Sequence, residues 1–103
     1  MSDFGIAIVT GAGRGIGRGI CLGLAEKGFH IVGVDILADP DNSIKGLFEV
    51  KRKVEAFDQE FLPVQADVSN LDDHQKILDM TLDRFGRIDV LVNNAGVAPE
   101  ERR

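Results

Sequence analysis

The sequence predicts an α/β fold built on a doubly wound parallel sheet, and three observations support this prediction. Short, almost continuously apolar runs alternate along the chain with longer segments of helical periodicity. The first apolar run leads into a glycine-rich turn, and the second ends on a carboxylate, Asp35. The segments between the runs are long enough to connect parallel strands. A length of 103 residues fits one domain, predicted over 1–103.

The first strand and the first helix form the opening unit. The run Ile6 to Thr10 is typical of a strand buried on both faces of a parallel sheet. A helix is predicted over Arg18 to Lys27, with Gly28 as its C-terminal stop. Residues at four-residue spacing define its expected apolar face: Ile16, Ile20, Leu24. Two glycines lower the stability of this helix, and close packing of their face against strands or cofactor would explain them: Gly19, Gly23.

The second and third strands flank a helix with one apolar stripe. Ile31 to Asp35 is the second buried-strand run. Ser43 is predicted to cap a helix that extends to about Phe57. The apolar residues of that helix recur at three- and four-residue steps: Leu47, Val50, Val54, Phe57. The third strand covers Phe61 to Ala66, and Pro63 indicates that it lies at a sheet edge.

The third helix has the strongest periodicity in the chain. Ser69 or Asn70 is its predicted N-cap, and Gly86 ends it. Its stripe contains His74, Ile77, Leu78, Thr81, Leu82 and Phe85. We therefore expect His74 to be a packed or partly buried structural histidine, and the alternative is a catalytic role. Ile88 to Val92 is the fourth strand.

This element order predicts the position of a ligand site. Right-handed crossovers turn β-α-β-α-β-α-β into a sheet with strand order 3-2-1-4, a Rossmann sheet incomplete at its C-terminus. Ligands of such sheets lie beyond the carboxyl ends of the strands, where the strand order reverses. That point falls between the first and fourth strands. Residues 10–17 and 93–96 are therefore expected to face each other.

The glycine turn at 10–17 reads Thr-Gly-Ala-Gly-Arg-Gly-Ile-Gly. A strand, a glycine turn and a helix together bring backbone N–H groups and a helix N-terminus to a phosphate. Gly11 lets the chain turn, Gly15 lets the backbone approach a pyrophosphate, and Gly17 lets the helix lie close to the sheet. The motif alone is a weak signal, because glycine-rich loops also connect other strands and helices.

Two carboxylates at strand ends strengthen the ligand prediction. Asp35 can accept both ribose hydroxyls of an adenosine and would repel a 2′-phosphate, and the alternative is an ordinary turn aspartate. Asp67 ends the third strand, where its side chain and the N–H of Val68 can reach the edge of an adenine. A cap for the third helix is the alternative role for Asp67. No metal-ligand pattern is predicted.

Composition excludes several classes of function. The net charge is −5, and Lys51 to Lys53 is the one basic cluster, so nucleic acid is not an expected partner. No apolar run approaches the roughly 18 residues that span a membrane, and no export signal is visible, so a cytoplasmic location is expected.

A single cysteine, Cys21, forms no intrachain disulfide and fits a reducing compartment. Its apolar neighbours predict a small buried hydrophobe.

Taken together, the turn at 10–17, Asp35, Asp67-Val68 and Asn93-Asn94-Ala95-Gly96 resemble the short-chain dehydrogenase/reductase family. The resemblance extends over about 4–98. Within the family, the sequence is similar in character to bacterial 3-oxoacyl-acyl-carrier-protein reductases and polyol or sugar dehydrogenases. It implies a nicotinamide dinucleotide bound across the sheet, with hydride passed to or from a small carbonyl or alcohol substrate. It also implies a homo-oligomer, either a tetramer or a dimer.

The resemblance assigns cofactor contacts residue by residue. The pyrophosphate and nearby ribose would contact Gly11, Gly13, Arg14, Gly15, Ile16 and Gly17. The adenosine would contact Asp35, Ile36, Asp67 and Val68, and the cofactor would be lined further by Asn94, Ala95 and Gly96. Asn93 would help to join the central strands. Asp35 favours NAD, whereas Arg14 is a residue type often found in NADP-dependent relatives. The carboxylate lies nearer the discriminating 2′-phosphate, so NAD is predicted and NADP is the less favoured cofactor.

The catalytic part of the family pattern does not match. In the family a tyrosine, a lysine four residues later and an upstream serine transfer the proton, on elements that follow the Asn-Asn-Ala-Gly strand. This sequence contains no tyrosine, and its serines lie elsewhere: Ser2, Ser43, Ser69. We therefore expect the cofactor-binding part of an oxidoreductase, inactive by itself because no positioned acid is present. The alternative is a stand-alone dinucleotide-binding or sensing module, or an inactive remnant.

Overall fold

The computed structural model describes residues 5–39, 41–42 and 45–94. The elements follow the order β1 Gly5–Thr10, α1 Gly15–Glu26, β2 Phe29–Asp35, α2 Leu47–Glu55, β3 Phe61–Gln65, α3 Leu71–Phe85 and β4 Val90–Val92. The strands form a parallel sheet with the order β3-β2-β1-β4. The predicted fold class and strand order are confirmed. The predicted site residues Ala95 and Gly96 lie outside the described residues, as does the side chain of Ser43.

The strand β1 lies at the centre of the sheet. It pairs with β2 along its whole length and with β4 from Ala7 to Val9. Every residue of β1 is buried, as expected for an apolar run that is covered on both faces. The strand β3 lies at the edge, where its Pro63 is opposite Gly33. Because an edge strand has a neighbour on one side alone, it tolerates the missing N–H of proline. The predicted edge position is confirmed.

Helices cover both faces of the sheet. On one face, α1 and α2 pack on a core that includes Ala7, Val9, Cys21, Ala25, Ile31, Leu47, Val50 and Val54. On the other face, α3 packs on a second core formed by Ile6, Ile8, Val32, Val34, Val64, Ala66 and Ile77. This arrangement is the doubly wound one. It places the carboxyl ends of β1, β2 and β4 along one edge of the sheet.

The predicted apolar face of α1 is wrong at Ile16, whereas Ile20 and Leu24 pack against the core as partly buried residues. Ile16 is 75% exposed, and the residues that α1 buries are Gly17, Cys21 and Ala25. The small side chains at these three positions let the helix axis approach the sheet. Two further glycines do not pack closely against the strands, because a Cβ built on either would meet open space: Gly19, Gly23. Their packing against a cofactor stays a prediction. The larger residues Ile20 and Leu24 are only half-buried.

The helix α2 is shorter than predicted. It begins at Leu47 and ends at Glu55, after an N-cap at Gly46 with φ of 88°. This left-handed backbone conformation is incompatible with a helix that runs through Gly46, so the start near Ser43 is wrong. The buried residues of the predicted stripe are Leu47, Val50 and Val54. Phe57 lies beyond the helix and is 43% exposed.

The helix α3 begins and ends as predicted. The Asn70 side chain accepts a hydrogen bond from the N–H of Asp72 at 2.8 Å, and Gly86 ends the helix with φ of 77°. The stripe is narrower than expected, because only Ile77 and Thr81 of α3 are buried. His74 is exposed, and its Nε2 donates to the carbonyl of Val68. The prediction of a packed or partly buried His74 is therefore wrong.

Burial makes the Cys21 thiol a probe of stability at high pH. Loss of solvation raises the pKa of Cys21 to about 12, whereas an unfolded thiol ionises near pH 8.5. The folded protein therefore keeps a proton that the unfolded chain loses, and stability falls as the pH rises from about 8.5 towards 12. We expect a loss of about 1.4 kcal/mol per pH unit from this group.

Denaturant unfolding at pH 8, 9 and 10 measures this loss, with Cys21→Ala as the control variant. Tyrosine does not interfere near pH 10, because the sequence has none. If the stability of the wild-type protein and that of Cys21→Ala fall equally with pH, the thiol is solvated in the folded state. That outcome would contradict the prediction.

Candidate functional site

The predicted site residues converge on the carboxyl edge of the sheet. A pocket of about 380 Å³ opens there, lined by Gly11, Arg14, Val34, Asp35, Ile36, Ala66, Asp67, Val68, Ser69 and Asn94. A second pocket of about 620 Å³ adjoins it and shares Arg14 and Asp35. Gly13 and Gly15 line the second pocket, whereas Ile16 and Gly17 line neither of the two. The predictions for Ala95 and Gly96 lie outside the described part of the chain.

The glycine turn leaves a row of backbone donors free. Gly11 and Gly15 have φ of 65° and 59°, in the left-handed region that favours glycine. The first amide of α1 with a helical acceptor is that of Arg18, which donates to the carbonyl of Arg14 at 3.3 Å. Among the described residues, the amides of Gly15, Ile16 and Gly17 have no acceptor, and no side chain caps the helix. Such a helix start attracts an anion.

Gly17 brings α1 into direct contact with the turn. A Cβ built on Gly17 would lie 2.0 Å from the carbonyl oxygen of Gly11 and 2.8 Å from Nδ2 of Asn94. No side chain fits in that space. The close approach keeps the free amides of α1 next to the carboxyl end of β1.

The Asp35 carboxylate anchors the turn to β2. The Asp35 side chain is buried, and its Oδ2 accepts from the N–H of Gly13 at 2.8 Å. Its Oδ1 accepts from the N–H of Leu37 at 3.3 Å, which is an aspartate-turn interaction. A carboxylate has about four lone-pair sites, so both oxygens retain capacity for a ribose hydroxyl. The ribose role stays a prediction, and the anchoring of Gly13 is a contact that the sequence did not indicate.

A threonine hydroxyl joins the ends of β1 and β4. Thr10 Oγ1 lies 3.2 Å from Oδ1 of Asn93 and 3.4 Å from the carbonyl of Val92, and it can donate to either. The same oxygen accepts from the N–H of Asn94 at 2.9 Å. Asn94 Nδ2 in turn donates to the carbonyl of Gly11 at 3.4 Å. The sequence predicted that 10–17 faces 93–96 but assigned no role to the Thr10 hydroxyl, whose signal is its position at the end of a buried apolar strand.

The loop after β3 lines the 380 Å³ pocket with Asp67, Val68 and Ser69. The carboxylate of Asp67 accepts from the side chain and the N–H of Ser69, and these bonds lower the pKa of Asp67. The N–H of Asp67 donates to Asp73 Oδ2 at 2.7 Å. The N–H of Val68 has no acceptor among the described residues. Val68 is therefore the better placed of the two predicted adenine contacts, while Asp67 stabilises the loop.

Replacing Thr10 by valine is expected to loosen the junction between β1 and β4. Valine has the same shape but leaves the N–H of Asn94 without its acceptor, and an unmade hydrogen bond of this kind costs about 1–3 kcal/mol. Thermal unfolding and hydrogen exchange of the Asn94 amide measure the effect. Faster exchange of that amide is expected in the variant. Exchange at the wild-type rate would contradict the prediction.

The fold and the site define a Rossmann-type dinucleotide-binding architecture. Comparisons with known proteins identify the family to which it belongs. A family model described as short chain dehydrogenase matches residues 5–103. The chain is 38% identical over 96 residues to a 2-dehydro-3-deoxy-D-gluconate 5-dehydrogenase of Dickeya dadantii, covering 93% of this chain and 35% of that protein. It is 41% identical over 95 residues to a 3-oxoacyl-[acyl-carrier-protein] reductase of Staphylococcus epidermidis, covering 91% and 36%.

Solved structures give the same result. A 3-oxoacyl-[acyl-carrier protein] reductase from Brucella melitensis in complex with NAD superposes with a TM-score of 0.80 at 33% identity, over 100% of this chain and 38% of that one. A short chain dehydrogenase from Mycobacterium paratuberculosis bound to NAD has the same TM-score and identity, over 93% and 38%. The chain belongs to the short-chain dehydrogenase/reductase family of oxidoreductases, and it spans about 35% of the length of the curated relatives.

The described residues contain neither a membrane-spanning helix nor a cluster of metal-ligating side chains. No helix there is both long and apolar enough to cross a bilayer. No group of three or more histidine, cysteine, aspartate or glutamate side chains is arranged there to hold a metal ion.

Proposed function

We propose that this chain is the cofactor-binding part of a dehydrogenase or reductase that transfers hydride between a nicotinamide dinucleotide and a small carbonyl or alcohol substrate. The observation that carries the proposal is the position of the α1 N-terminus. Its free amides follow the glycine turn that leaves β1 at the reversal of the strand order, and the Asp35 carboxylate at the end of β2 binds the same turn at Gly13. A dinucleotide needs such an anion site next to a ribose acceptor. The NAD named with two family structures supports this assignment.

The proposed contacts follow from the donors and acceptors at the site. The free amides of Gly15, Ile16 and Gly17 would hold the pyrophosphate, and Asp35 would accept from the adenosine ribose. The free N–H of Val68 would donate to the adenine. Asn94, with Ala95 and Gly96 beyond the described residues, would line the cofactor further. When bound, the nicotinamide supplies the hydride donor or acceptor, and the chain's own residues bind and orient it.

NAD is the cofactor that the Asp35 contacts favour. The buried Asp35 carboxylate is fixed by two backbone donors, so it cannot move away from a 2′-phosphate. Arg14 has no carboxylate partner among the described residues and lines both pockets, which opposes this preference. We place Asp35 nearer the 2′ position than Arg14. Its repulsion of a 2′-phosphate therefore outweighs the attraction from the exposed arginine.

Calorimetric titration of the full chain with NAD and with NADP tests this preference. We expect NAD to bind at least about tenfold more tightly, which corresponds to about 1.4 kcal/mol. Tighter binding of NADP would contradict the cofactor assignment, and no binding of either dinucleotide would contradict the proposed function.

The remaining proposals derive from the family resemblance. The chain has no tyrosine to serve as proton donor, so we expect these 103 residues to bind a dinucleotide without turning over a carbonyl substrate. Steady oxidation of NADH by the purified chain with carbonyl substrates would contradict that expectation. A homo-oligomeric enzyme in the cytoplasm is the proposed setting.

A further inference from the structure

An ion pair joins α1 to α2 directly beside the glycine turn. Arg18 Nε donates to Glu49 Oε1 at 2.8 Å, and Arg18 Nη2 donates to Glu49 Oε2 at 2.7 Å. This bidentate arrangement fixes both the distance and the orientation of the two helices. The Glu49 side chain is 7% exposed and that of Arg18 is 36% exposed. Both residues line the 620 Å³ pocket together with Gly13 and Gly15.

The pair lies where it can set the direction of the free amides. Arg18 follows Gly15, Ile16 and Gly17, and its own N–H closes the first helical bond of α1. The same turn of α2 also supports the other end of the glycine turn. A Cβ built on Gly13 would lie 3.1 Å from the backbone nitrogen of Leu47. The first turn of α2 therefore supports the turn on both sides of its free donors.

The electrostatics keep the pair charged and in place. The hydrogen bond from Arg18 lowers the pKa of Glu49, and the same bond raises the pKa of Arg18. Lys53 Nζ lies 3.8 Å from Glu49 Oε2, and Arg52 adds a further positive field. A buried carboxylate that loses one partner remains costly to desolvate, so the pair resists separation. The exposed pair Lys51–Glu55 is on the same helix but lines neither pocket.

We infer that Arg18 and Glu49 are a positioning pair that holds the first turn of α1 in the orientation that binds a pyrophosphate. The inference rests on the proposed function, because it assigns the pair to the same dinucleotide site. The pair acts through the backbone of α1, and the guanidinium is committed to Glu49. Its competitor is a role for the Arg18 charge alone, which would attract phosphates without any contribution from Glu49.

The two roles predict opposite signs for one substitution. Glu49→Gln removes a negative charge next to the site, so a charge role predicts tighter binding of an anion. A positioning role predicts weaker binding, because the bidentate carboxylate is lost. Arg18→Lys keeps the charge but not the fork geometry, so it separates the two roles a second time.

The experiment measures dissociation constants of the full chain for ADP-ribose, which contains the pyrophosphate, and for adenosine, which lacks it. We expect both variants to bind ADP-ribose at least about fivefold more weakly while adenosine changes less than about twofold. Retained adenosine affinity also shows that each variant is folded. Glu55→Gln, which breaks the exposed pair, is the matched control and should leave both constants unchanged.

The outcomes separate this inference from the function on which it rests. Wild-type affinity for ADP-ribose in Arg18→Lys, or tighter binding in Glu49→Gln, overturns the positioning role while the dinucleotide site stands. A parallel loss of ADP-ribose and adenosine affinity assigns the pair to general stability and also overturns it. Failure of the wild-type chain to bind NAD and ADP-ribose overturns both the proposed function and the inference.

Discussion

Gly17→Ala is expected to abolish dinucleotide binding and to destabilise the fold by about 3 kcal/mol, at the upper end of the usual cost of overpacking. The added methyl group would lie 2.0 Å from the carbonyl oxygen of Gly11, which is backbone and has no rotamer to change. The clash is relieved only if α1 moves away from the turn. That movement would carry the free amides of Gly15 and Ile16 away from the pyrophosphate position.

Thermal unfolding and NAD titration measure both effects. For a chain of this size, 1 kcal/mol corresponds to about 4–8 °C in the melting temperature. Gly19→Ala and Gly23→Ala are matched controls in the same helix, where a Cβ meets open space. Each control should stabilise the protein by about 0.5–1 kcal/mol, because alanine is the better helix former. If Gly17→Ala also raised the melting temperature, the close contact with Gly11 would be wrong.

Asp35→Ala is expected to weaken NAD binding by about 10- to 100-fold. The variant loses the proposed ribose acceptor, and hydrogen bonds to a charged group contribute about 1.5–3 kcal/mol. It also leaves the buried N–H of Gly13 without its acceptor, so the glycine turn loses its link to β2. Removal of the carboxylate relieves the repulsion of a 2′-phosphate. The affinities for NAD and NADP should therefore become similar, with both weaker than that of the wild-type chain for NAD.

Titrations with the two dinucleotides test this expectation, and Asp35→Asn provides a comparison. Asparagine retains one oxygen acceptor for Gly13, so it should preserve stability better than alanine while still losing the charge. Asp83→Ala is the control, because Asp83 is exposed on α3 and lines neither pocket. If Asp35→Ala bound NAD with wild-type affinity, the carboxylate would not be a hydrogen-bond acceptor for the ribose.

The sequence was most informative where local chemistry decides the structure. Alternating apolar runs and helical periods predicted the strand order, Asn70 and Gly86 delimited α3, and Pro63 indicated the sheet edge. The contact face of α1 was missed because periodicity weighs large apolar residues, whereas this helix is buried through Gly17, Cys21 and Ala25. A close approach between a helix and a sheet selects for small size, which hydrophobicity does not record.

Parts of the candidate site depend on contacts that leave no local pattern. The glycine spacing and Asp35 were visible as motifs, since each follows a strand at a recognisable position. The bonds from Arg18 to Glu49 and from Thr10 to the residues after β4 join distant segments. The strand order predicted that 10–17 faces 93–96, but it did not predict which atoms pair. Arg18 and Glu49 each read as an ordinary surface charge, and Thr10 reads as a strand-end hydroxyl.

The hydrogen bond between Thr10 and Asn94 has a consequence for how the binding surface assembles. The two residues are 84 positions apart, so their contact closes a loop that includes most of the chain. Closing a long loop has an entropic cost that the local unit β1-α1-β2 does not bear. The glycine motif can therefore adopt its turn early in folding, before Asn94 is in place beside it. A ligand that contacts both segments favours the final closure, and its concentration sets how completely the chain is closed.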